Sequence, residues 1–139
     1  MDVGMKGKRV VVTAGAQGIG FAITETFVAA GAQVHICDVN EAFLADAKTR
    51  LPDVSQSRTD VADAAQVDAM FDDLKARWRA LDVLVNNAGI AGPTAKVEET
   101  DLAGWEQTIA INLTGPFLCA RRAVPLLKAA GGGSIVNLS

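Results

Sequence analysis

The stretch VVVTAGAQGIGF, residues 10–21, joins a β-branched run to a helical pattern through a turn that holds Gly15, Gly18 and Gly20. Glycines there let a phosphate approach the backbone, and the free N–H groups and positive dipole end of the following helix favour a pyrophosphate. The spacing is G-x-x-G-x-G rather than the common dinucleotide fingerprint G-x-G-x-x-G, and glycines at such a place also serve simply to turn the chain. Asp38 closes the next strand-like run. An acid there accepts hydrogen bonds from adenosine ribose hydroxyls and repels a 2'-phosphate; the plainer reading is an acid that opens a turn. Gln17 and Val39, where a compensating cation would stand, are uncharged, so NAD is favoured over NADP.

INLTGPF, residues 111–117, carries a second chemical signal. Pro116 has no N–H, so in a helix the carbonyl four residues earlier, that of Asn112, loses its donor and is open to a water. A simple kink at Gly115 and Pro116 is the alternative. His35, the single histidine, lies in the strand-like VHICD and reads as a packed side chain. Cys37 and Cys119 lie far apart in apolar segments without a CxxC or Cys/His cluster, so they read as buried free thiols, and no metal site is expected.

These residues need elements to hold them. Short runs at 10–13, 34–38, 82–86 and 134–138, with a weaker one at 54–59, read as strands, the first too continuously β-branched to be anything but covered on both faces and the last buried in its alternation. Between them, helical spacing places Ile19, Ala22, Ile23, Phe27 and Ala30 on one stripe closed by Gly31, and Phe43, Ala47 and Leu51 on another. A third helix over 63–79 carries Val67, Met70, Phe71, Leu74 and Trp78, with a solvated charged face; a fourth helical stretch runs from about 100 to 130. Strands alternating with helices predict a doubly wound α/β domain with a parallel sheet.

With 139 residues, half of them apolar, the chain suffices for one domain over 1–139 that buries roughly 70% of its unfolded surface. The net charge of -3 and the scattered 13 Lys and Arg suggest neither a nucleic-acid groove nor a membrane surface. The start lacks a signal-peptide core and no run reaches the ~20 residues that span a bilayer, so a cytoplasmic protein is expected.

In combination the motifs resemble the short-chain dehydrogenase/reductase family. TAGAQGIG resembles its TGxxxGxG turn, with Ala14 where the family usually has its first glycine; TDVAD, LVNNAG and INLTGPF follow in the family's order. The resemblance implies a Rossmann-type sheet and an NAD-binding domain with Gly15, Gln17, Gly18, Ile19, Gly20, Asp38 and Val39 at the cofactor. It further implies that Asp60 binds the adenine amino group beside Val61, that Asn87, Ala88 and Gly89 line the nicotinamide half, and that Asn86 ties the central strands together. Asn112 is implied as the catalytic asparagine, holding a relay water through its main chain. The partners implied are a small alcohol or carbonyl substrate and, through the long helix, a homo-oligomer, dimer or tetramer.

The family's reaction needs a tyrosine, a lysine and a serine, and this sequence has no tyrosine. GGGSIVNLS resembles the family's fifth strand, with Ser139 aligned to the serine before the catalytic one. The expectation is therefore five strands, ending before the last two of the family, in an NAD-dependent oxidoreductase; the alternative is a nucleotide-binding fragment without catalysis. The 139 residues alone should be inactive, and an exposed fifth strand should leave them poorly soluble.

Overall fold

The computed structural model describes residues 2–139. Five strands build the sheet: β1 (Arg9–Thr13), β2 (Gln33–Asp38), β3 (Ser55–Arg58), β4 (Val83–Asn86) and β5 (Ser134–Asn137). They lie in the order β3-β2-β1-β4-β5, and every pairing is parallel. Parallel neighbours require crossovers, supplied by α1 (Gly18–Ala29), α2 (Glu41–Arg50), α3 (Ala64–Trp78) and the stretch α4 (Leu102–Ile109) to α5 (Gly115–Ala129). This is the expected Rossmann-type α/β fold.

Burial on both faces explains the continuous β-branched runs. In β1, Val11 faces a core with Phe71, Leu74, Leu84 and Leu118, whereas Val10 and Val12 face Phe21, Ile36, Leu44 and Ala47. The two registers of β1 bring His35 opposite Val11 on one side and Leu84 opposite it on the other. Arg9 fastens the same strand pair at its lower end: its backbone N–H and Nε both donate to Asp82, at 2.8 and 2.9 Å.

Three helices start on side-chain caps. Asn40, Asp63 and Asp101 accept from the backbone N–H groups of Phe43, Gln66 and Gly104, at 3.0, 3.1 and 3.0 Å. Helix α1 has no such cap at Gln17 and no acidic residue in its first turn. Arg122 of α5 donates to the carboxylates of Asp68 and Asp72 and so clamps α5 to α3.

Four expectations need correction. On α1 the inward positions are Gly20, Phe21 and Thr24, while Ile19 is 69% exposed and Ala22 is also outside, so the core stripe is rotated from the one its apolar spacing suggests. On α2 Leu44 and Ala47 turn inward and Phe43 does not. Strand β5 pairs with β4 as expected, yet its side chains are exposed, because among the described residues β4 is its one strand neighbour and helix packing does not cover it. The long helical stretch is not uniform: Ala110–Thr114 is a π segment, in which the Gly115 N–H bonds the Ala110 carbonyl five residues back. The wider turn precedes Pro116, which cannot continue the ordinary ladder. No described helix is long and apolar enough to cross a membrane.

Candidate nucleotide site

The sheet order reverses between β1 and β4, and in an open α/β sheet a crevice forms at the carboxyl ends of the strands at that point. A cleft of about 440 Å³ opens there. It is built by the β1–α1 turn, the ends of β2 and β3, and the loop after β4.

Thr13 organises the junction. It is buried at the end of β1, and its Oγ1 accepts from the N–H groups of Asn87 and Ala88 at 3.0 and 2.9 Å. In return Asn87 Nδ2 donates to the carbonyls of Thr13 and Ala14, at 3.1 and 3.2 Å. Four bonds thus lace the glycine turn to the NNAG turn. Gly20 stands at this contact: a Cβ there would run into the Ala14 carbonyl and the Asn87 amide. Thr24, fully buried, donates from its hydroxyl to the Gly20 carbonyl at 2.9 Å, with the Gly15 carbonyl 3.3 Å away.

Of the residues singled out from the sequence, Gln17, Ile19, Gly20, Asp38, Val39, Asp60, Val61, Asn87, Ala88 and Gly89 line the cleft. Gly15 and Gly18 do not. The Gly15 N–H bonds the Cys37 carbonyl at 3.1 Å, and a Cβ on it would lie 2.6 Å from Ile36 Cγ2, so Gly15 seats the turn on β2. Gly18 opens α1 with φ +59, exposed. Asn112, in the π segment, is not among the lining residues; its side chain grips Ile90, accepting from the Ile90 N–H at 2.9 Å and donating to its carbonyl at 2.8 Å. Asn86 donates to Asn137 Oδ1 at 2.9 Å and ties β4 to β5.

At the β2–β3 end the cleft is acidic and apolar together. Asp38 Oδ1 accepts from the Asn40 N–H at 3.1 Å, and Asp60 Oδ1 accepts from the Ala62 N–H at 2.9 Å, so each carboxylate is held by backbone with its other oxygen unassigned. Val61 is buried where α5 passes closest: a Cβ on Gly115 would lie 2.8 Å from Val61 Cγ2.

The sequence did not point to Thr13 at the junction beneath the cleft, or to Ile90, Ile111 and Phe43 on its lining, since only folding brings them there. It also missed Arg58, the register partner of Asp38, whose Nε donates to the Val39 carbonyl at 3.2 Å and stands 3.8 Å from the Glu41 carboxylate. This places a cation on β3 next to Asp38, near the cleft but not on its lining, where Gln17 and Val39 offered none.

His35 and the cysteines lie outside the cleft. His35 is buried between the hydroxyls of Ser55 and Ser57, at 2.8 and 3.0 Å, with Arg77 Nη2 3.3 Å from Nδ1. Burial, and then the Arg77 charge, lower its pKa to about 4, so the imidazole is neutral at pH 7. Burial pushes the Cys119 thiol up to about 12 and Cys37 higher still, which leaves both as inert packing groups.

The cleft thus brings together an uncapped helix start, close glycine contacts, two backbone-held carboxylates and apolar walls in one concavity. A family model for short chain dehydrogenases matches residues 8–139. Cis-4-hydroxycyclohexanecarboxylate dehydrogenase of Sinomonas cyclohexanicum is 44% identical over 133 residues, 93% of this chain and 53% of that protein. D-threitol dehydrogenase of Mycolicibacterium smegmatis is 39% identical over 142 residues, 99% of this chain and 54% of that protein. The crystal structure of a metagenomic short-chain oxidoreductase in complex with NADP superposes with a TM-score of 0.91 at 29% identity, over 97% of this chain and 63% of that one. The chain spans about half the length of each of these two relatives.

Proposed function

Because this chain belongs to the short-chain dehydrogenase family, we propose that it forms the NAD-binding part of an oxidoreductase acting on a small alcohol or carbonyl compound. The observation that carries this reading is the bare N-terminus of α1 at the switch-point cleft, when α2, α3 and α4 are all side-chain capped. An anion there would satisfy first-turn backbone N–H groups that have no hydrogen-bond partner among the described residues. Asp38 takes the ribose hydroxyls through its free carboxylate oxygen, and Asp60 and Val61 receive the base. Asn87, Ala88 and Gly89 border the nicotinamide half. A nicotinamide dinucleotide, when bound, supplies the acceptor or donor of the hydride.

Asn112 serves proton transfer through its main-chain carbonyl, where Pro116 withholds the usual donor, while its side chain holds the loop at Ile90. With no tyrosine in the sequence, the 139 residues bind nucleotide but turn over no alcohol. The enzyme is read as cytoplasmic and as a homo-oligomer, its contact surface the exposed residues Leu102, Trp105, Leu113 and Phe117 of α4, the π segment and α5.

Arg58 favours a second reading, in which a 2'-phosphate is accepted and NADP is used. Titration of the chain with NADH and NADPH, followed by nicotinamide fluorescence, separates the two. The expected result is NADH at least about tenfold tighter, with Asp38→Ala bringing the ratio toward one, because removing the acid removes its repulsion of the phosphate. An unchanged ratio in Asp38→Ala would refute the ribose assignment.

A further inference from the structure

We propose that Phe43 is a specificity residue of the cleft, its ring an apolar wall for the purine base of the dinucleotide; the inference rests on the nucleotide reading above. On α2 the core is already served by Leu44 and Ala47. Phe43, one position earlier, is 39% exposed, and the concavity it borders is the nucleotide cleft. A half-exposed phenyl ring on a concave surface gains free energy when a flat apolar face covers it.

Its place is fixed by the same cap that fixes Asp38. The Phe43 N–H donates to Asn40 Oδ1 at 3.0 Å, and the Asn40 N–H donates to Asp38 Oδ1 at 3.1 Å. Ring and carboxylate therefore sit on one rigid unit of six residues, so the spacing between a ribose contact and a base contact is built into the backbone. This end of the cleft joins Val39, Phe43 and Val61 to the acceptors Asp38 and Asp60. That set complements a ribose-linked heteroaromatic base with apolar faces and a donor edge. Nicotinamide mononucleotide offers instead a single, positively charged pyridinium ring, smaller than the purine and without its neutral apolar faces.

The test compares AMP, ADP-ribose and nicotinamide mononucleotide on the 139-residue chain, by saturation-transfer NMR with titration. Phe43→Ala is expected to weaken AMP and ADP-ribose about tenfold and leave nicotinamide mononucleotide unchanged, and Phe43→Trp to retain binding. Phe43→Leu keeps the apolar bulk without the aromatic face, so an intermediate loss is expected; it carries the comparison should Phe43→Ala not fold, as judged by its melting curve. Unaltered AMP affinity in Phe43→Ala or Phe43→Leu overturns the proposal, as does an equal loss for nicotinamide mononucleotide, which would mark general distortion. If the unsubstituted chain binds no ADP-ribose, the nucleotide reading itself fails, and this inference with it.

Discussion

Ala14 has φ +50, in the left-handed region that a Cβ disfavours, and it stands where the family usually has glycine. The turn keeps this conformation because Asn87 holds the Ala14 carbonyl and Gly20 presses against it. Ala14→Gly should therefore stabilise the fold by roughly 0.5–1 kcal/mol, the relief of strain outweighing the greater freedom of glycine in the unfolded chain. Thermal unfolding would show this as a rise of about 2–4 °C, and a lowered midpoint would mean that the methyl group packs better than the strain costs. The departure from the family motif was visible in the sequence, but its cost was not, since nothing in TAGAQGIG says which residue carries the positive φ. The roles of Thr13 and Asn112 were hidden for another reason: their partners lie 74 and 22 residues away.

At the scale of elements, the alternating strands and helices were legible because the central strands β1, β2 and β4 bury both faces and so read as apolar, largely β-branched runs. The weaker β3, Ser55–Arg58, is polar and lies at the sheet edge, which explains its faint signal. Helix phase was less legible at α1 and α2. Ile19 and Phe43 have the composition of core residues but stand on the cleft, and a pattern of apolar spacing cannot tell a core from a binding wall. The π segment holds a further element-level consequence. Its Asn112 side chain pins the loop after β4, so Asn112→Ala should lose roughly 1–2 kcal/mol and speed exchange of the Ile90 amide about tenfold or more. Asn112→Asp keeps the acceptor for that N–H and should protect it better than alanine does. Equal Ile90 exchange in the parent and Asn112→Ala would show that the loop is held by other contacts.

For the molecule as a whole, His35 makes stability depend on acid. Its folded pKa is lowered from 6.5 to about 4, so below pH 6.5 the unfolded chain binds a proton that the fold refuses. Stability from this source is intact above pH 6.5, falls as the pH drops through that value, and stops falling near pH 4. The loss is roughly 2 kcal/mol at pH 5 and about 3 kcal/mol when complete. Urea unfolding at pH 7.5 and 5, compared with His35→Gln, isolates the effect; the variant should lose this part of the slope, and identical slopes would contradict it. The strand order has a different whole-chain consequence, one of assembly in time. The pairing of β1 with β2 is local, but the contact of Thr13 with Asn87 closes 74 residues of chain and carries a correspondingly large loop-closure entropy. The cleft lies at that long-range seam, between the β1 and β4 ends. No partly folded chain in which β1 and β4 have yet to meet can present it, so occupancy of the cleft reports that those two strands have paired.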